Sequence, residues 1–99
     1  FTGVLIYHTP NGGSRNKSEA SKLKCMGVTP GIPDLFIPEW LLWIEMKTPT
    51  GKVSEDQKDI IRYLSSIGYH CLVCYGLDDA KEKILNFREK LFDSRNFGN

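Results

Sequence analysis

The sequence predicts an α/β fold, a mixed sheet flanked by helices, from three observations. Short apolar runs rich in branched and aromatic residues alternate with stretches whose apolar residues recur at helical spacing. Two of the runs, Leu35-Phe36-Ile37 and Leu41-Leu42-Trp43-Ile44, flank Pro38-Glu39 as the arms of an antiparallel hairpin flank their turn. A helical stretch then separates the second arm from another strand-like run, which puts that run parallel to the arm through a right-handed crossover. The predicted order is strand, helix, strand, strand, helix, strand, helix.

Taken in order, Val4-Leu5-Ile6-Tyr7 within Phe1 to His8 has the unbroken apolar character of a strand covered on both faces. Thr9 to Arg15 is a turn-rich loop in which Gly12 and Gly13 can present free N–H groups, either to a phosphate or as a plain connection. Ser18 is an N-cap for a short helix, Glu19 to Met26, stopped by Gly27. Two prolines and a glycine in Val28 to Pro33 exclude helix and lead stiffly into Asp34, fixing where its carboxylate points. After the hairpin, Ser54 with Gln57 three residues on forms the capping-box pattern for a second helix, which Gly68 ends. Its buried stripe is Ile60, Ile61, Leu64 and Ile67, and Gln57 lies one turn ahead on the same stripe, either merely capping or turned inward. Tyr69 to Tyr75 is a strand. Asp78 caps a last helix from Asp79 to about Phe92, with Ala80, Ile84, Phe87 and Leu91 inward, and Ser94 to Asn99 reads as a frayed tail.

Ninety-nine residues suit a single domain spanning 1–99, and 40% hydrophobic with 25% charged residues is ordinary for a globular protein. The longest apolar run is far too short to span a bilayer, so no membrane role is expected. Without a charged leader or cleavage site the first residues read as strand, and an intracellular setting follows. The three cysteines, Cys25, Cys71 and Cys74, are then reduced thiols. Cys71 and Cys74 have CxxC spacing, but three residues apart on a strand they face opposite sides, which suits small buried hydrophobes better than a zinc or redox pair. A net charge of +1 says little about partners, whereas Arg15, Lys17, Lys22 and Lys24 against Glu19 alone make the segment before the hairpin locally basic.

The chemistry-bearing residues collect at one end of the hairpin. Side chains alternate along a strand, so Glu45 and Lys47 share a face with Met46 opposite. If Ile37 pairs with Leu42 across a four-residue loop, Asp34 lies opposite Glu45. Two carboxylates and an ammonium among hydrophobic neighbours are costly unless a divalent cation sits between the acids. Mg²⁺ or Mn²⁺ needs only one or two protein carboxylates, here Asp34 and Glu45, with the Met46 carbonyl as a third oxygen. Such an ion polarises a phosphodiester and lowers the pKa of water. Lys47 would act as an electrostatic stabiliser or a general base, with Gln57 in support. The competing reading is a structural Glu45–Lys47 ion pair with Asp34 as a turn residue.

Gly31-Ile32-Pro33-Asp34, Glu45-Met46-Lys47-Thr48-Pro49 and Ser54-x-x-Gln57, with Pro10-Asn11-Gly12-Gly13 upstream, resemble in order and spacing the VRR-NUC domain of the PD-(D/E)xK nuclease superfamily. The resemblance covers about residues 5 to 80. It implies a restriction-endonuclease-like fold similar to Holliday-junction resolvases, and Mg²⁺- or Mn²⁺-dependent hydrolysis of DNA. By matching position it implies Asp34 and Glu45 as metal ligands, Lys47 as the catalytic lysine and Gln57 as its support. Stand-alone members, often encoded by phages, act as dimers on branched DNA. The family's acidic residue on a helix ahead of the first strand has no counterpart in this sequence, unless Glu19 replaces it. Asn11, Arg15, Lys17, Lys22, Lys24 and Lys52 are the candidate DNA contacts, with solvated surface charge as the alternative for the basic ones. His8 and His70 read as structural, and Trp40 and Trp43 as packing residues.

The leading expectation is therefore a metal-dependent, structure-selective DNA endonuclease. A DNA-binding module with a nuclease fold and no turnover is the second reading, and a small interaction domain with a buried charged network the third.

Overall fold

In the computed structural model, which describes residues 3–9 and 30–97, the strands form one four-stranded sheet in the order β1-β2-β3-β4. They are β1 (Tyr7–His8), β2 (Leu35–Ile37), β3 (Leu42–Lys47) and β4 (His70–Tyr75). Two helices complete the fold, α1 (Glu55–Ser66) between β3 and β4 and α2 (Leu77–Phe97) after β4. The first two pairings are antiparallel and β3 runs parallel to β4, as the helical crossover requires. No helix of the described residues is long and apolar enough to cross a membrane.

The hairpin turn is set by its own sequence. Pro38–Trp40 makes one turn of 3-10 helix, with Pro38 at a position where its missing N–H costs nothing and Trp40 buried as an anchor. Leu41 then takes the left-handed conformation (φ 50°) and returns its N–H to the Pro38 carbonyl at 3.1 Å. A branched side chain there is strained by about 1–2 kcal/mol. The turn brings Ile37 opposite Leu42 and Leu35 opposite Ile44, so the next step of the register sets Asp34 against Glu45.

Alternation along β3 sorts its side chains onto two faces. Leu42 and Ile44 enter an apolar cluster with Ile37, Trp40, Cys74, Ala80 and Ile84, and Met46, Leu72, Phe87 and Leu91 pack against it. That cluster is the core, sealed by α2. On the other face Trp43 stacks on Phe36 (ring centroids 4.3 Å apart), and Tyr69 meets both rings edge-on. Helix α1 lies on that side, where the full capping box is present: Ser54 Oγ accepts from the Gln57 N–H at 3.2 Å and Gln57 Oε1 accepts from the Ser54 N–H at 2.9 Å. Cys71 and Cys74 are free thiols, and burial pushes both up from the ordinary thiol value.

Four sequence expectations need correction. The first strand is two residues long and not covered on both faces: Leu5 is 66% exposed and Tyr7 and His8 are exposed, because β1 is an edge strand paired only through Tyr7↔Phe36 and His8↔Leu35. Ile67 is not part of the buried stripe, since α1 ends at Ser66 and Ile67, its C-cap, is 52% exposed. Helix α2 starts at Leu77, ahead of Asp78, after the chain turns at Gly76 (φ 89°), and it is Asp79 whose carboxylate accepts the Tyr75 N–H at 2.7 Å. The same helix continues to Phe97 through most of the expected tail. The helix expected over Glu19 to Met26, the loop from Pro10 to Arg15 and Cys25 lie outside the described residues.

Candidate active site

Asp34 enters the site from the Pro30–Pro33 loop and is held at both ends. Its carbonyl accepts the Thr9 N–H at 2.8 Å, and its carboxylate Oδ2 accepts the backbone N–H of Met46 at 2.8 Å. The second bond carries the β2–β3 contact past the last ladder pair and pins the carboxylate against the edge of β3.

Glu45 is under electrostatic stress. It is 4% exposed, its Oε2 accepts from Gln57 Nε2 at 3.0 Å, and Lys47 Nζ lies 3.7 Å from the same oxygen. Its Oε1 is buried with no hydrogen-bond partner among the described residues. Burial, and after it the negative charge of Asp34, raises its pKa from the ordinary 4.5 to about 7, against the opposing pull of Lys47.

Gln57 uses both ends of its amide. Oε1 closes the capping box and Nε2 reaches Glu45, so the choice between capping and facing inward resolves as both at once. Lys47 is 18% exposed at its side chain, so its ammonium keeps an opening to solvent while leaning on Glu45.

Two carboxylates, one just ahead of β2 and one on β3, the latter dry and with an oxygen short of a partner, together with an amine and an amide, make a site short of positive charge. Among the described residues there is no group of three or more His, Cys, Asp or Glu side chains able to hold a metal ion, so a closed all-protein cage is absent. Mg²⁺ or Mn²⁺ needs none, because these ions keep several waters and share their sphere with substrate phosphate. The buried Glu45 Oε1 without a partner, beside Asp34, is a donor set of the right hard-oxygen chemistry.

A family model described as the VRR-NUC domain matches residues 4–78. The chain belongs to the VRR-NUC family. VRR-NUC domains are nuclease-type domains, and the matched stretch contains Asp34, Glu45, Lys47 and Gln57. Among solved structures, one described as a "VRR_NUC domain protein" is 32% identical with a TM-score of 0.68, over 83% of this chain and 66% of that one. The present chain thus spans just under two thirds of that VRR-NUC relative's length, and the four-stranded mixed sheet with its helices is a VRR-NUC nuclease-like fold. No curated protein matches the sequence.

Of the residues selected from sequence, Asp34, Glu45, Lys47 and Gln57 come together at the β3 edge. Lys52 is exposed in the segment leading to α1. Asn11, Arg15, Lys17, Lys22 and Lys24, and with them Glu19, lie outside the described residues. Three contacts were not foreseen: the Met46 N–H on Asp34, the Thr9 bonds, and the approach of Gly31 to α1. A Cβ on Gly31 (φ 87°) would stand 2.6 Å from the Asp56 carbonyl oxygen and 2.9 Å from the Gln57 nitrogen. The glycine of the Gly31-Ile32-Pro33-Asp34 motif was therefore a signal for close backbone approach, and it locks the loop carrying Asp34 to the turn carrying Gln57.

Proposed function

We propose that this VRR-NUC domain is a Mg²⁺- or Mn²⁺-dependent DNA endonuclease that hydrolyses phosphodiester bonds, selectively on branched, Holliday-junction-like DNA. The observation that carries the proposal is Glu45: a carboxylate buried beside Asp34, with one oxygen lacking a hydrogen-bond partner and its pKa raised to about 7 despite the nearby Lys47 and Gln57, is a place where a divalent cation would offset the excess negative charge. Asp34 and Glu45 would hold the ion. The Met46 carbonyl lies on the same strand edge as its N–H, the edge facing Asp34, which suits it as a third oxygen. When bound, the cation polarises the phosphodiester and lowers the pKa of water.

The other roles fall to the chain's own residues. Lys47, held against Glu45 and open to solvent, places a positive charge where the phosphate's negative charge grows. Gln57 keeps the Glu45 carboxylate turned toward Asp34. Asn11, Arg15, Lys17, Lys22, Lys24 and Lys52 contact the DNA backbone, giving salt-sensitive binding with little sequence preference. The working unit is a homodimer, as cutting two strands of a junction requires, in the cytoplasm of a bacterial or phage-infected cell.

The test is cleavage of four-way and linear duplex DNA with Mg²⁺, Mn²⁺ or EDTA. Wild type is expected to cut the four-way substrate in metal alone, and Asp34→Ala and Lys47→Ala each to lower the rate by about a hundredfold or more with the fold intact. Full activity in either variant would reject this site. Binding without cutting in wild type would leave a DNA-binding module, equal cutting of both substrates would remove the branched preference, and light scattering at micromolar concentration reads the dimer.

A further inference from the structure

We propose that Thr9 is a positioning residue for Asp34, an inference that rests on the metal-binding reading of Asp34 and Glu45. Thr9 directly follows β1 and is 5% exposed, although the two residues before it are exposed. Its Oγ1 donates to the Pro33 carbonyl at 2.7 Å and lies 3.3 Å from the Asp34 carbonyl, and its N–H donates to that same Asp34 carbonyl at 2.8 Å. The hydroxyl has one proton, so the short bond to Pro33 is its main engagement and the longer contact a weak second branch.

These two carbonyls belong to the two peptide planes that meet at the Asp34 Cα. Peptide units are rigid, so fixing the plane on each side fixes φ and ψ between them, and with them the direction of the Cα–Cβ bond. Thr9 therefore sets where the Asp34 side chain starts, while the Met46 N–H, 2.8 Å from Oδ2, sets where it ends. The first anchor directly follows β1 and the second lies on β3. Remove the hydroxyl and the Pro33–Asp34 peptide loses its hold, leaving the Thr9 N–H on the Asp34 carbonyl and the Met46 N–H at the carboxylate tip.

The rest of β1 supports this assignment. It pairs with β2 through only two residues, Tyr7 and His8, and neither is buried. Its sheet contribution is slight, and the residue that directly follows it, Thr9, is buried next to the site. On the opposite side the same loop is pressed onto α1 by Gly31. Asp34 is thus approached through a segment held from both flanks, as a carboxylate must be if it is to meet a small ion demanding near-ideal geometry.

The test titrates Mn²⁺ calorimetrically into metal-free protein, comparing wild type with Thr9→Val, which keeps the shape and loses the hydroxyl, and Thr9→Ser, which keeps the hydroxyl. Thr9→Val is expected to bind Mn²⁺ about tenfold more weakly or worse, the usual scale for losing a group that orients a ligand, and Thr9→Ser to stay within about twofold of wild type. Far-ultraviolet circular dichroism without metal establishes that each variant is folded. Equal affinity in wild type and folded Thr9→Val overturns the Thr9 inference alone. Absence of Mn²⁺ binding in wild type overturns the metal reading itself and this inference with it. Should Thr9→Val fail to fold, Thr9→Ser decides: wild-type affinity upholds the role of the hydroxyl, and a tenfold loss despite its presence overturns it.

Discussion

Leu42 and Ile44 project from β3 into the apolar cluster closed by Ala80 and Ile84 of α2, whereas Glu45 and Lys47, one residue out of step, project to the other face beside Asp34 and Gln57. Ile44 and Glu45 are neighbours in sequence and almost equally dry, at 1% and 4% exposed. Burial acts on them with opposite sign. For Ile44 it removes apolar surface from water and stabilises the fold. For Glu45 it opposes ionisation and leaves an oxygen without a hydrogen-bond partner, a cost borne by the fold. The strand's period of two therefore lets a single segment be anchor and candidate site at once, with the anchored face giving the other the rigidity to keep a strained charge in place.

The largest expected effect lies on the anchoring face. Ile44→Ala leaves a cavity at the centre of the cluster, and a fully buried residue of that size costs on the order of 4 kcal/mol when truncated. Urea unfolding at neutral pH measures it. A loss below about 1 kcal/mol, the range of surface changes, would mean that this face does not carry the sheet.

Glu45→Gln reverses the sign on the other face, and pH shows it. The folded-state pKa of about 7 lies above the ordinary 4.5. Below pH 4.5 the carboxyl is protonated in both states and its ionisation costs nothing. Between 4.5 and 7 the unfolded chain releases the proton that the folded chain keeps, so stability falls as pH rises, and above 7 the full cost is present. The rise from 4.5 to about 7 corresponds to about 3 kcal/mol. In EDTA, wild type is expected to lose stability by about that amount between pH 5 and pH 8, and Glu45→Gln to show a flatter profile and greater stability at pH 8. Parallel profiles would show that Glu45 does not carry the strain assigned to it.

How much of this was readable beforehand follows from whether each feature is local. The hairpin register is local: Pro38 fixes the turn, alternation fixes the faces, and together they place Asp34 opposite Glu45. The capping box is local too, with Ser54 and Gln57 three residues apart. The exposure of Leu5, Ile6 and Tyr7 is not set by their apolar run, because coverage belongs to the neighbours a strand finds, and β1 finds one short partner at the sheet edge. Ile67 continued the stripe by spacing, yet the helix stops one residue before it. The Thr9 bonds span 24 and 25 residues between segments with no shared periodicity, so no pattern along the chain could announce them. The unpartnered Glu45 Oε1 is likewise a fact of three-dimensional packing.

The smallest effect separates the two jobs of Gln57. Gln57→Ala removes both the bond from the Ser54 N–H and the bond to Glu45, with the loss of a cap costing about 1 kcal/mol. Gln57→Glu keeps an acceptor for the Ser54 N–H, and with it the capping box, but cannot donate to Glu45 and adds a third negative charge there. Metal-free Gln57→Glu is expected to be less stable than Gln57→Ala at pH 8 by about 1 kcal/mol, and to recover more on addition of Mn²⁺, because an extra carboxylate beside the pair strengthens its hold on a cation. Urea unfolding with EDTA and with Mn²⁺ reads both numbers. If the variants match under both conditions, the amide serves the helix alone. If they part only without metal, the charge beside Glu45 is what the wild-type amide exists to avoid.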